Sequence, residues 1–488
     1  MSKSLKRTLS FPSLVILGAA GIIGSGWIYT TSDFFSSYGA GGVVFGMLLA
    51  SLIAACIALA YGELVSQFPR AGGEILYTFI AFNKGPAFII GWMLIGSFLS
   101  CTAFYMAAFG GLLAKGFPGL ASIIESVPLY SVAGTEVYLP SLLAGVALVL
   151  FFFYLNSRSV DVGASTQKLL FILKVICGAS LAVAGIALGS WGNFWPAFTP
   201  VLADGSKATL INDVAGVVRF VIPALTFLTG FSVVALLAEE ANFAPKRIGM
   251  AAVLTVFLAG LYYILVLLAT AMIIPWEDSA QMELGAISTF TNAGYPILGY
   301  AAMGIALLGM GTGSLGMAMG CSRILFAMGR GGLLPAFLGE VNHRNVPFNA
   351  LTCTLLLTVG LGWLGKSAMI WFLDMGGVFV GLSWALTVVC MYKIRKLYPN
   401  NHRPYEVRLT WLPVIGALGA FGIIIMTLIP GTPLSLVPAE YILLVVWIAL
   451  GIIMYNIYAK SNRLSTQEAM KAMLGENYAE IEKLQKKS

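Results

Sequence analysis

Mid-run glycines and one deep lysine are the residues of this chain whose placement implies chemistry. The first apolar run contains GAAGIIGSGW at 18–27, with Gly24-Ser25-Gly26 near its middle. In hydrocarbon each unpaired backbone N–H or C=O is costly, so a helix break there is tolerated only where it is buried in protein or lines a cavity. On this run alone, a small-residue surface for close helix packing explains the glycines equally well. The sixth run, PALTFLTGFSVVALLAEE at 223–240, carries Pro223 and then Thr229-Gly230-Phe231 near its middle. Interruptions at matching places in two halves of a chain point to a binding site between inverted repeats.

Broken helices leave N–H groups and a positive dipole end for an anion, and free carbonyls for a cation. An α-amino acid carries both charges a few ångströms apart. The N–H groups near Ser25 and Gly26 are assigned to its carboxylate, and the carbonyls near Ile22, Ile23 and Phe227 to its ammonium. Gly24, Thr229, Gly230, Phe231 and Ser232 complete the expected substrate-binding set. Trp27 and Phe227 are the expected gates, with Phe231 beside them, although aromatics in a span also serve as packing or lipid-facing residues.

Lys174 lies in KLLFILKVICGAS, where an ammonium costs at least roughly 2.5–3.5 kcal/mol on insertion scales. Lys168 is six residues nearer the loop and is expected to snorkel; Lys174 sits ~9 Å deeper at 1.5 Å per residue. A buried lysine exchanges its proton more readily than an exposed one, so Lys174 is a candidate proton carrier, against snorkelling as the alternative. Arg219, near the other end of the sixth run, is expected to reach an interface, and Glu239-Glu240 to pair with basic residues and stabilise one conformational state.

Other chemistry is excluded. The string from Gly360 to Ser367 satisfies GxxxxGKS, but it joins two apolar runs and lacks the preceding strand that a phosphate cradle needs. There is no HExxH and no GxSxG, so no catalytic residues are assigned. Six cysteines lie inside apolar stretches without ligand spacing, and only His343 and His402 are present, so no metal or other cofactor is expected.

The elements that must hold these residues follow from composition. Of 488 residues, 59% are hydrophobic and only 10% charged, and mean hydropathy is +0.89. A soluble domain needs about 25% charged residues to cover its surface, so this surface faces lipid, and a soluble enzyme or nucleic-acid binder is excluded. Roughly twelve runs suit helices of about 20 residues, near 11–36, 41–67, 84–115, 138–156, 166–190, 213–238, 248–275, 290–329, 348–365, 368–393, 411–430 and 437–459. The runs at 84–115 and 290–329 exceed one crossing, which predicts tilt or interfacial turns.

With the N-terminus placed inside, 23 of the 28 basic residues fall on the inner side. Only Lys115, Lys207 and Lys366 fall outside, while Lys174 and Arg219 lie within runs. That asymmetry predicts a multi-pass protein of the cell inner (plasma) membrane, with an even number of crossings and both termini cytoplasmic. The expected organisation is a cytoplasmic N-terminus at 1–10, a first inverted repeat at 11–190, a second at 213–393, two further helices at 411–460, and a cytoplasmic tail at 461–488. The tail opens on the capping box Ser465-Thr466-Gln467-Glu468 and is expected to be a solvated helix.

Four motifs in order, GIIGSGW at 21–27, AYGELVSQFPRAGGEILY at 60–77, GFSVVALLAEEANFAPKR at 230–247 and SRILFAMGRGGLLP at 322–335, resemble the amino acid–polyamine–organocation transporter superfamily. The resemblance spans about residues 8–460. It implies an all-α, LeuT-like fold of twelve transmembrane helices with a 5+5 inverted repeat, and substrate held between helices one, three, six and eight. It also implies a helix-five lysine in the place of a sodium ion, which suits Lys174; Ser314 of the eighth run is assigned with it to the coupling site. The expected activity is alternating-access import of an amino acid with a proton, the alternatives being a sodium-independent exchanger or an amine permease. The expected partners are the amino acid, protons and membrane lipids; nothing in the sequence sets the oligomeric state. Ser232 stands where many members carry Glu or Asp, so a neutral or acidic substrate is expected over a cationic one. The EEANFAPK segment has one residue more than the usual spacing, which predicts an irregular end to the sixth helix.

Overall fold

The computed structural model describes residues 5, 7–132, 134–158, 160–198, 209–432, 435–462, 464–475 and 478. Lys207, Lys3, Lys6 and the end of the tail, 479–488, lie outside them. The fold is all-α. In chain order the helices are α1 (Phe11–Ile22), α2 (Gly26–Tyr29), α3 (Thr31–Gln67), α4 (Glu74–Ala81), α5 (Lys84–Gly116), α6 (Pro118–Ile124), α7 (Leu139–Arg158), α8 (Val160–Leu188), α9 (Trp191–Phe194), α10 (Leu210–Phe227) and α11 (Ser232–Leu236). They continue as α12 (Pro245–Ile273), α13 (Trp276–Ser279), α14 (Ala286–Asn292), α15 (Pro296–Arg330), α16 (Phe348–Gly362), α17 (Lys366–Leu397), α18 (Trp411–Leu428), α19 (Pro438–Met454) and α20 (Thr466–Leu474). An antiparallel hairpin, β1 (Pro128–Val132) and β2 (Thr135–Tyr138), precedes α7.

Among the described residues ten helices are long and apolar enough to cross a membrane, and α1 and α16 are shorter apolar helices. The backbone explains why α1 is short. Ser10 caps it, its hydroxyl accepting from Ser13 N at 3.3 Å, and the chain leaves helical geometry at Ile23, where ψ is 87°. α3 is two helices joined at Gly39, whose φ of 72° suits glycine. Between α10 and α11 a 3₁₀ turn at Thr229–Phe231 interrupts the helix. The two interruptions meet: a Cβ on Gly230 would lie 2.2 Å from Gly21 C and O, so only glycine lets these backbones touch.

Apolar side chains on α18 and α19, such as Leu418, Ile442 and Val445, are exposed, as lipid-facing positions require. Polar side chains are buried in the interior instead, among them Lys174 on α8 and Thr312, Ser314, Arg323 and Arg330 on α15.

The structure sharpens the sequence expectations at several places and departs from them at the tail. The over-long 290–329 run contains a turn, one of the two outcomes expected of it: Gly294 at φ 89° and Pro296 separate α14 from α15. The 84–115 run is a single helix of 33 residues. Lys168, expected to snorkel, lies exposed on α8, which begins at Val160. The tail helix has its capping box, with Glu468 N bonded to Ser465 Oγ at 3.1 Å and Ser465 N to Glu468 Oε2 at 2.8 Å. It is not solvated all round, however: Ala469, Met470, Met473 and Leu474 are buried, since α20 lays one apolar face on the bundle. The GxxxxGKS string is a turn centred on Gly365, φ 84°, between two helices.

Candidate functional site

The break in the first helix spans Ile23, Gly24 and Ser25. Ser25 and Trp27 are buried, Gly24 and Gly26 half-buried. The Ser25 hydroxyl is buried without a hydrogen-bond partner; in the short α2 Ile28 N bonds back to Ser25 O at 3.3 Å, and the N–H groups ahead of it are those a helix start leaves for an anion. A Cβ on Gly26 would sit 3.8 Å from Phe227 and 3.9 Å from the Tyr29 hydroxyl, so a methyl group fits here in ordinary contact. Gly24 is tight, its Cβ position 2.7 Å from the Tyr105 hydroxyl of α5.

The three carbonyls assigned to a substrate ammonium are not equally free. Ile22 O accepts from Tyr263 OH at 2.9 Å and from Gly24 N at 2.8 Å, which uses both lone pairs. Ile23 O accepts from Lys174 Nζ. Phe227 O has one long contact, 3.5 Å, to Tyr263 OH. Acceptor capacity therefore lies on the helix-six side.

Lys174 is fully buried. Its ammonium donates to Ile23 O in the first break and, at 2.7 Å, to Thr312 Oγ1 of α15. It thereby ties α8 to both the broken helix and α15. The Thr312 hydroxyl donates in turn to Gly309 O at 3.3 Å, and Gln167 Nε2 donates to Thr312 O at 2.8 Å. The snorkelling alternative fails on this geometry, because the side chain ends on protein oxygens. Ser314 does not join this group. Two residues beyond Thr312 it faces elsewhere on α15, and it lines a small space with Thr102, Phe152 and Thr354.

The helix-six residues divide. Phe227 is half-buried beside the first break, its ring 5.8 Å from Phe34 and 6.3 Å from Tyr263. Gly230 makes the backbone contact with Gly21. Thr229 faces a different cavity of about 320 Å³, shared with Trp384, Asp374 and Glu440. Phe231 is buried, packed at 4.9 Å on Tyr61 and 5.0 Å on Trp384, and so cannot close over the first break. Ser232 is buried and turned toward the Glu74 carboxyl. Trp27 is held in place, its indole N–H donating to Gly24 O at 3.2 Å and its ring edge-on to Tyr263 at 5.0 Å.

Residues 9–458 match the family model described as amino acid permease. The chain belongs to the amino acid permease family. The branched-chain amino acid permease BcaP of Lactococcus lactis subsp. cremoris is 25% identical over 420 residues, covering 86% of this chain and 89% of that protein. The methylthioribose transporter of Bacillus subtilis is 26% identical over 479 residues, covering 95% of each. Cationic amino acid transporter 4 of Mus musculus is 26% identical, the match covering 82% of this chain and 62% of that longer protein. The permease is thus a multi-pass membrane transporter of amino acids and not an enzyme.

At one end of the permease bundle the polar groups are sealed. Arg330 Nη1 lies 3.1 Å from Glu239, Arg70 lies 3.7 Å from the same carboxylate, and Arg323 Nε lies 2.9 Å from Glu240. Burial works to raise the Glu239 carboxyl, but Arg330, Arg70 and the N–H groups of Ala71 and Leu5 outweigh it and hold it below its ordinary range. Thr8 N and Leu9 N both donate to Glu240 O at 2.9 Å, and Arg70 Nε donates to Met473 O of α20 at 3.4 Å. The extra residue in EEANFAPK fits here, as the helix gives way to a 3₁₀ turn at Ala238–Glu240 and a bridge from Ala241 to Leu9. The opposite end holds a cavity of about 560 Å³ whose walls include Tyr29, Thr30, Ala107, Met310 and Lys366. Arg219 is exposed.

Sequence reasoning missed Tyr29, Tyr105, Tyr263 and Thr312. No local signal marks them: each lies in an ordinary apolar helix and acquires its role from the partner helix it meets.

Proposed function

We propose that this permease imports a neutral or acidic amino acid together with a proton, by alternating access. The observation that carries the reading is Lys174, a buried cation with two oxygen partners that link the first broken helix to α15. A protonated Lys174 donates to both oxygens at once; without that proton the link is weaker and the two helices are freer to separate. Proton occupancy and the position of the broken helix are thereby connected in a single side chain.

The architecture proposed for this cycle is twelve crossings, with α1–α8 and α10–α17 as inverted repeats and α18 and α19 appended. The sealed basic end is taken as cytoplasmic, with both termini there and the protein in the cell inner (plasma) membrane, surrounded by lipid. The cavity of about 560 Å³ at the other end is then the outer vestibule leading to Gly26 and Phe227. Substrate carboxylate binds the N–H groups of Ser25 and Gly26, and its ammonium binds at Phe227 O. Ser232 stands where many members of the resembled superfamily carry Glu or Asp, and that replacement supports neutral or acidic substrates over cationic ones. Residues Gly24, Gly26 and Phe227 form the clamp, while Thr229, Phe231 and Ser232 support it from behind.

The test is uptake into proteoliposomes loaded with each of the twenty amino acids, with and without an inward proton gradient. Gradient-driven accumulation of a neutral or acidic amino acid is expected. Uptake that ignores the gradient and requires amino acid inside would make the protein an exchanger.

A further inference from the structure

Glu74 is a buried carboxyl that the clamp and Lys174 do not use. It opens α4 on Gly73, whose φ is 43°, and is 1% exposed. Tyr61 OH donates to its Oε1 at 2.9 Å, and its Oε2 has no hydrogen-bond partner. The Ser232 hydroxyl at the start of α11 donates to Thr229 O at 3.5 Å and lies close enough to the same carboxyl to act on it. A Cβ on Gly73 would meet Ala235 Cβ at 3.3 Å, so the start of α4 lies directly against α11. The lid over this carboxyl is therefore the half of helix six beyond the break.

Several other charged and titratable groups surround α4. Tyr77, on α4 itself, has a hydroxyl without a partner. From α3 comes Tyr61, which also accepts from Thr387 of α17 at 3.4 Å. From α17, Cys390 contacts Thr78 at 3.7 Å and Lys393 lies over the Phe82 ring. From α15, Arg323 and Arg330 are bound to Glu240 and Glu239. Lys84 of α5 donates to Leu464 O, and Glu468 and Lys471 of α20 are exposed. Arg70, in the turn before α4, is held by Glu239 and Met473 O. Among the described residues Glu74 forms no ion pair.

We infer that Glu74 is a second proton-binding site, which holds a proton while α11 covers it and releases it when α11 moves away at the sealed end. A lone carboxylate buried without a cation is costly, whereas a protonated carboxyl is not, and its O–H can donate to the Ser232 oxygen that faces it. Burial pushes the group from its ordinary 4.5 up to about 7, against the pull of its own N–H and the Tyr61 and Ser232 hydroxyls. Swinging Ser232, Ala235 and Leu236 off the carboxyl admits water and returns it to the ordinary range, so its proton leaves on the side that opens. The direction of net proton flow rests on the import reading above; the existence of the site does not.

The experiment is pH-difference infrared spectroscopy of the full-length permease in lipid nanodiscs, comparing wild type with Glu74→Gln. Wild type should lose a protonated-carboxyl C=O band as pH rises through about 7, and the variant should lack that component. Tyr61→Phe, which deletes the bond to the carboxylate, should keep the band and move its midpoint to higher pH. Identical spectra for wild type and Glu74→Gln would overturn the inference, as would an unmoved midpoint in Tyr61→Phe should Glu74→Gln not fold. A failure of proton-driven uptake in wild type would instead remove the import reading and leave this result standing.

Discussion

Replacing Gly230 by alanine puts a methyl group against backbone. Its Cβ would lie 2.2 Å from Gly21 C and O and 2.5 Å from Ile22 N, and none of these atoms can rotate away. Ordinary carbon contacts lie at about 3.5–4.0 Å, so the two broken helices must part by roughly an ångström. Overpacking of this kind costs about 1–3 kcal/mol. At 1.4 kcal/mol per decade that is roughly 5- to 140-fold in the equilibrium holding the helices together. Gly26→Ala is the control, since its Cβ meets only Phe227 at 3.8 Å and Tyr29 OH at 3.9 Å. Thermal unfolding of the purified protein, with and without substrate, separates the two. Gly230→Ala should unfold several degrees lower. Gly26→Ala should unfold like wild type yet lose most of the substrate-induced stabilisation, because the methyl group occupies the carboxylate's place. Equal stability of Gly230→Ala and wild type, or undiminished ligand stabilisation in Gly26→Ala, would refute the clamp as described.

Three further outcomes are expected. Glu239→Gln leaves Arg330 and Arg70 buried without their carboxylate, a loss of about 3–5 kcal/mol for a buried pair, and hydrogen exchange at α11 and at residues 5–9 should accelerate; unchanged exchange would mean that the ion pairs do not hold this end closed. Between 4.5 and about 7 the covered Glu74 holds a proton that the uncovered group lacks, so stability of this state should fall as pH rises across that window and level off above it; thermal unfolding from pH 5 to 8 should show the fall, and Glu74→Gln should remove it. Ser465→Ala deletes a cap worth ~1 kcal/mol, and amide exchange in α20 should rise about fivefold, with unchanged exchange indicating that docking on the bundle alone holds the helix.

What was legible in the sequence had a one-dimensional signature. The helices announce themselves as apolar runs, the interruptions as Gly-Ser-Gly and Thr-Gly-Phe, and Lys174 as a charge where charge is costly. The Glu239 and Glu240 pairs were legible because two adjacent acids at a helix end must find cations. What was not legible depends on which helix faces which. Thr312 rather than Ser314 meets Lys174, because two residues apart they lie on opposite faces of α15, one toward α8 and the other toward α7 and α16. Ile23 O is lost to the substrate because Lys174 reaches it. Phe231 points away from the first break, toward Tyr61 and Trp384, because the 3₁₀ turn rotates it. Glu74 reads as one more loop acid until α11 is seen lying across it.

The central claim is that a proton on Lys174 is exchanged within the transport cycle. Its most direct test is proton flux into proteoliposomes on addition of the transported amino acid, for wild type and Lys174→Ala, with counterflow exchange measured alongside. The account predicts substrate-dependent proton entry in wild type and none in Lys174→Ala, which should remain folded but no longer accumulate substrate against its gradient. Proton entry and concentrative uptake at wild-type levels in Lys174→Ala would contradict it.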